Sequence, residues 1–273
     1  MIDSLPPGSR TNLAVHRLSG ALIEDHGDHL VVRSPRNPLY HWGNYVHVTT
    51  GDVNDADRWL SVFSKSFPQA AYRAVALPSA LDPSAWSDRG IDLEFEDCLI
   101  ADVECGPAIT PTAVPNGYAI RALACERDWA AWVEAEIAES QATKGPSEMD
   151  VRRFVEDSFA VRRELAEQGH LAWFAAFTDA GEPAAALGIV LCGVDESAQA
   201  VEARYQHVLT VETHRRHGLA RHLLAVAAAW AEDRGVQRLV IMADTGTPAA
   251  RLYAAAGFGP GPRECSAYAP GPR

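Results

Sequence analysis

Apolar and polar residues along this chain fall into two rhythms, and an element ends where one gives way to the other. In the first hundred or so residues the rhythm is mostly that of strands, with runs at Leu13–Leu18, His29–Arg33, Tyr45–Thr50, Tyr72–Leu77 and Leu93–Val103. Helical spacing predicts a single helix there, over Asp55–Phe67. From residue 118 the order is more regular. Tyr118–Leu123 reads as a strand, and Glu126–Ser140 reads as a helix with Trp129, Trp132, Val133 and Ile137 at helical spacing. A second helix is predicted over Ser147–Glu167, with Ser147 as N-cap and Asp150 in the position of the reciprocal acid. Three strands follow at His170–Phe177, Ala184–Cys192 and Ala203–Val211, separated by turn residues at 179–183 and 193–197, as antiparallel neighbours require. Leu219–Arg234 repeats apolar residues at Leu219, Leu223, Val226 and Trp230 and stops at Gly235. A strand at Arg238–Ala243 leads to a short helix with Thr247 as cap, Pro248 at its first position and Gly257 at its stop; a last strand-like run surrounds Cys265–Tyr268. The order β-α-α-β-β-β-α-β-α-β predicts an α+β fold, with a mixed, mainly antiparallel sheet flanked by helices.

Between the two rhythms, residues 105–117 hold three prolines and two glycines and no charge. This composition predicts a linker, and with it a division into an N-terminal α/β domain at 1–105, a linker at 106–117 and a second domain at 118–273. A length of 273 residues suits two modest domains.

Charge and composition narrow the function. With 47% hydrophobic and 22% charged residues the chain is of the soluble globular class. A formal net charge of -12 argues against a nucleic-acid or anionic-membrane partner, since both need a broad basic surface. The five cysteines have no CxxC spacing and no His pair at zinc-ligand distance, which predicts reduced thiols and no metal site. The N-terminus lacks the apolar stretch of a secretory signal, and no apolar run approaches the roughly 18 residues of a membrane span, so the expected location is the cytoplasm.

Against this acidic background one basic turn stands out. Arg215, Arg216 and His217 precede Gly218, Leu219 and Ala220, between an apolar strand and an alanine-rich helix. The amides of a helix's first turn lack intrahelical partners and, with the helix dipole, attract an anion. A glycine there lets backbone approach a phosphate closely. A P-loop would need Gly-x-x-x-x-Gly-Lys-Ser/Thr; no such run exists, and Lys144 sits in another context. Gly257–Gly261 is glycine-rich but broken by proline and ends a helix, so it reads as a turn and not as a dinucleotide fingerprint.

The pattern Arg215-x-x-Gly218-x-Ala220, with the strand His207–Val211 before it and Leu223 and Leu224 after it, resembles the pyrophosphate-binding motif of the GNAT superfamily of acyl-CoA-dependent N-acetyltransferases. Leu252, Tyr253, Gly257 and Phe258 resemble that family's Leu-Tyr-x-x-x-Gly-Phe signature. The resemblance covers about residues 117–270 and implies a GNAT acyl-CoA N-acyltransferase fold with acetyl-CoA as co-substrate. It also implies that Arg215, Arg216, His217, Gly218, Leu219, Ala220 and Arg221 hold the CoA pyrophosphate, while Leu209, Thr210 and Val211 pair with the pantetheine arm. Tyr253 stands where the family's tyrosine gives a proton to the departing thiolate, and a phenol suits that task. Gly246, between Thr245 and Thr247, falls where the family often has an asparagine that touches the cofactor arm.

Acyl transfer to an amine also needs a proton acceptor. His207 has the right chemistry, and Glu202 lies at the start of the same strand where the family often has a carboxylate. Alternation puts Tyr205, His207, Leu209 and Val211 on one face, so His207 reads equally as a core histidine. Cys192 lies in an apolar run and reads as a core thiol; the resemblance implies that the helix of Trp129 and Trp132 helps wall the acceptor pocket, though their spacing reads as core packing for at least one, and Glu134, Glu136 and Glu139 read as a solvated face, with attraction of a cationic acceptor as the alternative. The implied activity is transfer of an acetyl group to a primary amine of a small molecule or peptide, by direct attack in a ternary complex and in a monomer or homodimer. The alternative is a non-catalytic acyl-CoA-binding regulatory module. Residues 89–101 resemble the Gly-Phe turn and closing strand of the same family, which implies a degenerate repeat and a tandem of two related domains. The aromatic run Pro38–Tyr45 reads as a domain interface or part of an acceptor pocket.

Overall fold

The computed structural model describes residues 2–77, 82–103, 109, 113–141, 147–194 and 200–270. Cys105, Lys144, half of the 106–117 linker (106–108 and 110–112) and the turn residues 195–197 lie outside the described residues. In chain order the elements are α1 (Pro7–Leu18), β1 (Leu22–Asp25), β2 (His29–Arg33), β3 (Tyr45–Val48), α2 (Ala56–Ser66), β4 (Arg73–Leu77), α3 (Ser84–Ser87) and β5 (Asp92–Asp102). These are followed by β6 (Tyr118–Ala122), α4 (Glu126–Gln141), α5 (Glu148–Glu167), β7 (Leu171–Thr178), β8 (Pro183–Val194), β9 (Ala200–Thr210), α6 (Leu219–Glu232), β10 (Arg238–Asp244), α7 (Pro248–Ala256) and β11 (Gly259–Ala269).

The chain forms two compact units, each built from separated stretches of sequence. The first comprises 1–98, 242–250 and 261–273; the second comprises 99–241 and 251–260. The division at 1–105, 106–117 and 118–273 follows the chain, whereas the units exchange segments: β5, β10, β11 and α7 each give residues to both.

In the first unit the strand order is β1-β2-β3-β4-β11-β5. β3 and β4 are parallel, and β11 runs antiparallel to β4 with Cys265 opposite Leu77 and Ala269 opposite Arg73. Its core holds Leu30, Tyr45, Trp59, Phe63 and Trp86. The two indole N–H groups are satisfied by backbone: Trp59 donates to the Asp52 carbonyl at 2.7 Å and Trp86 to that of Val53 at 3.0 Å. Asp55 caps α2 by accepting from the Arg58 amide.

Leu13–Leu18 is not a strand but the end of α1, which has Pro at its start. Its buried face consists of Gly8, Ser9, Thr11, Leu13 and His16, and small polar residues hide the helical period from a hydrophobicity reading. That face is small because Glu264 of β11 lies against it. The Ser9 amide and hydroxyl both donate to the Glu264 carboxylate, and a Cβ on Gly8 would collide with Glu264 Oε1. The aromatic run at 38–45 forms a 3-10 turn over His41–Gly43, in which His41 stacks on Tyr72 with 3.7 Å between centroids and bonds the Tyr268 hydroxyl at 2.9 Å.

In the second unit the order is β10-β9-β8-β7-β6, antiparallel except for the β10–β9 pair. β7 is buried along nearly its whole length, and the inner face of α6 is Leu219, Leu223, Leu224, Ala227, Ala228 and Ala231, so an alanine-rich helix packs close to the sheet. Ser147 caps α5 by accepting from the Asp150 amide at 3.2 Å, as its sequence predicts. Among the described residues no helix is long and apolar enough to cross a membrane.

Candidate active site

β9 carries the candidate site, and its pairing changes along its length. β10 pairs with it in parallel over Glu202–Arg204 only, so the stretch beyond has no β10 partner on that edge among the described pairings. On the other edge, β8 follows it in register until Ala186 faces Leu209 and Gly188 faces Gln206. Two residues of β9, His207 and Val208, therefore oppose Leu187 alone. This is a β-bulge, and it leaves part of the ladder unpaired and re-aims a side chain. His207 has φ 50, a left-handed value that a non-glycine residue adopts at a cost.

The bulge breaks the alternation expected for β9. Tyr205 reaches α6, where its hydroxyl donates to the Leu224 carbonyl at 2.8 Å. His207 shares no face with it. Its ring stacks on Trp173 at 6.0 Å between centroids, and its Nε2 lies 3.0 Å from Oε2 of Glu136 on α4. The His207 side chain is 36% exposed while that of Glu136 is 3% exposed.

Glu136 is thus no part of a solvated face, which corrects the reading of that helix. Arg162 of α5 approaches both its oxygens, at 3.3 and 3.1 Å, and spreads over Trp173 and Phe159. Burial alone would push the Glu136 carboxyl up; the Arg162 charge and the hydrogen bonds from His207 and Arg162 outweigh it and hold the group below its ordinary value. Glu134 does face outward, beside Arg152, while Glu139 is partly buried, 3.9 Å from Arg215.

At the end of β9 the chain passes through a 3-10 turn at Glu212–His214 into the basic loop. Arg215 donates through Nε to the Thr210 carbonyl at 3.3 Å, and the Tyr118 hydroxyl meets His214 Nδ1 at 3.1 Å, which ties the loop to β6. Arg216 (φ 69) and Gly218 (φ 79) are both left-handed, an arrangement that turns successive amides toward one concavity. A Cβ on Gly218 would meet nothing within 4 Å, so the space in front of the loop is open. The first bond of α6 runs from the His222 amide to the Gly218 carbonyl at 3.1 Å, so the amides of Leu219, Ala220 and Arg221 open to the helix mouth. These residues fit a pyrophosphate: donors at a helix start, an open glycine and exposed arginines at 215, 216 and 221.

Tyr253 of α7 is 5% exposed and packs edge-on against Phe258, and burial pushes its phenol up to about 12. Residues 129–258 match the model of the acetyltransferase (GNAT) family. The chain carries a GNAT domain. Among solved structures, a functionally unknown protein from Staphylococcus epidermidis superposes with a TM-score of 0.69 at 10% identity, over 91% of this chain and 93% of its own. A GCN5-related N-acetyltransferase from Kribbella flavida gives 0.64 at 14% identity over 98% of each chain. A tandem GNAT protein from the clavulanic acid biosynthesis pathway gives 0.57 at 16% identity over 99% of this chain and 92% of its own. At these identities the likeness is one of fold, and it extends over both units. No curated protein matches the chain.

The other expected residues of the GNAT domain fall in different places. Glu202 is buried at the start of β9 beside Arg238, whose Nη1 is 3.9 Å away, and five residues of strand, roughly 16 Å, separate it from His207. Cys192 is buried and its thiol is pushed up to about 12 by burial, which suits packing and not nucleophilic attack. Gly246 belongs to the first unit, in a left-handed turn with φ 78 and open space at its Cβ. Trp129 and Trp132 are buried, as their spacing predicts. Arg162 and Trp173 were not singled out from the sequence, and Glu136 only as one of three acids on a helix face, yet a signal for Glu136 and Arg162 exists. Glu136 falls in the stripe of Trp129, Trp132, Val133 and Ile137, and Arg162 in that of Val155, Phe159 and Leu165. A charge inside an apolar stripe is a buried charge that needs a partner.

Proposed function

We propose that the protein is an N-acetyltransferase that moves the acetyl group of acetyl-CoA to a primary amine of a small molecule or peptide, by direct attack in a ternary complex. The observation that carries this reading is the open, left-handed Arg216–Gly218 loop at the mouth of α6, beside a β9 edge without a β10 partner. In this reading the amides from Arg216 to Arg221 and the arginines at 215, 216 and 221 hold the CoA pyrophosphate, and Leu209 and Thr210 pair with the pantetheine arm; the Arg215 amide already donates to the Glu212 carbonyl at 3.2 Å and the Val211 amide to that of Ala184 at 3.0 Å, which takes both out of the expected set. Fixing the thioester next to the amine turns a bimolecular step into an internal one. The unpaired backbone at the bulge supplies polar groups for the thioester carbonyl.

Two proton transfers complete the reaction. The amine nitrogen forms its bond to the acetyl carbon after losing a proton, and His207 is the group we assign to accept it. The carbon–sulfur bond then breaks toward the sulfur, which Tyr253 meets. A phenol pushed up to about 12 keeps its proton at neutral pH. Against a thiol of about 8.5, full transfer is uphill by roughly 5 kcal/mol. Tyr253 accordingly acts by donating a hydrogen bond as charge grows on sulfur, and the proton that completes the thiol is the second one the nitrogen gives up as the amide forms, relayed through solvent.

The test is CoA thiol release from acetyl-CoA over a panel of aliphatic diamines, aromatic monoamines and peptide amino termini. Release above the amine-free rate with any class supports the reading. Acetyl-CoA binding without release from any of them would instead support the non-catalytic acyl-CoA-binding module.

A further inference from the structure

The β9 bulge sets His207 against a buried ion pair, and that arrangement has a chemical direction. A neutral imidazole carries one N–H and one lone pair. His207 Nε2 lies 3.0 Å from Glu136 Oε2. Glu136 is ionised, held below its ordinary value against its burial by the Arg162 charge and by the His207 and Arg162 bonds. A carboxylate only accepts, so Nε2 must be the nitrogen that carries the hydrogen, and the lone pair is left on Nδ1. We propose that Glu136, clamped by Arg162, is a positioning residue that fixes His207 in the Nε2–H form, so that Nδ1 is the atom that takes the proton of the acceptor amine.

Three features of the site support this role. Trp173 packs beside the ring, with 6.0 Å between centroids and 28° between planes, and limits its tilt. Arg162 balances the Glu136 charge, so the group is neutral overall before proton transfer and carries one positive charge after it. That charge forms 3.0 Å from a carboxylate with 3% exposure, where water screens the attraction little. Glu136 itself stays ionised throughout; the proton arrives on Nδ1, leaves the amine nitrogen uncharged and returns to solvent after product formation.

This inference rests on the acetyltransferase reading, and its test separates the two. The full-length protein labelled with 15N-histidine should show His207 as a single tautomer, protonated at Nε2, with a proton protected from exchange. Glu136→Gln should abolish that protection. A His207 protonated at Nδ1 in the wild type, or equal protection in the variant, would overturn the inference whatever the activity. In the thiol-release assay with an amine found active, His207→Ala should lower kcat about 100-fold. Glu136→Gln should lower it about tenfold with the KM for acetyl-CoA unchanged. The double variant should be no slower than His207→Ala alone, because Glu136 acts only through His207. Multiplying effects would overturn the inference and leave the acetyltransferase reading standing. No release by the wild type on any amine would remove both.

Discussion

Two strand histidines, one in each unit, show how a single residue of register separates packing from chemistry. His47 lies in regular β3, opposite Leu30 on one side and Ala76 on the other. It is 2% exposed, its Nε2 has no hydrogen-bond partner among the described residues, and burial pushes it down to about 4. It is a neutral piece of core. His207 lies on a strand of the same kind, yet the extra residue of the bulge turns it away from α6 toward a carboxylate and leaves it over a third exposed. The identity of the side chain does not distinguish the two; backbone irregularity and the partner do.

The comparison can be broken at its strongest point first. Arg162→Leu would leave the Glu136 charge buried with His207 as its remaining partner and should cost roughly 3–5 kcal/mol in urea unfolding at neutral pH. The double variant with Glu136→Leu should recover most of that loss. Equal stability of Arg162→Leu and wild type would mean that the cluster is solvated, and His207 then has no fixed partner.

The next test is on the His47 side. Its folded value of about 4 lies below the ordinary 6.5. Between these values the unfolded chain binds a proton that the folded chain does not, so stability falls as pH drops from 6.5 to about 4, by up to about 3 kcal/mol. In His47→Leu this part of the acid slope should vanish, as read from denaturant melts across that window. An unchanged slope would show that His47 is hydrated and not core.

On the chemical side, Tyr253→Phe should lower turnover on the order of 100-fold, as the loss of one donor to developing charge does, with little change in acetyl-CoA affinity. Equal turnover would remove Tyr253 from the reaction. The smallest effect is expected from Gly218→Ala. Its Cβ would enter open space, so only the left-handed φ of 79 penalises it, by about 1 kcal/mol in thermal melts.

The second unit was legible in the sequence because its elements advertise themselves: apolar stripes, a Ser147 cap and a glycine at the mouth of α6. The interleaving of the two units was not, since strand pairing between distant segments such as β11 and β4 leaves no local trace. α1 was misread because a face pressed against Glu264 has to be small and polar. The bulge was equally silent, because alternation counts residues and cannot see that β9 has one more than β8. The clue at Glu136 was present but sat in a helix whose acids range from exposed Glu134 to buried Asp128. What pointed to it was position within the stripe, not charge.

The central claim is that the loop from Arg215 to Arg221 receives acetyl-CoA. It is tested most directly by the melting temperature of the full-length protein with and without millimolar acetyl-CoA, in wild type and in Gly218→Glu. At one hundred times its dissociation constant the ligand should add about 2.7 kcal/mol of stability to the wild type. It should add none to a Gly218→Glu protein whose circular dichroism matches the wild type, because a carboxylate then occupies the anion site. No rise in the wild type, or the same rise in both proteins, would contradict the account.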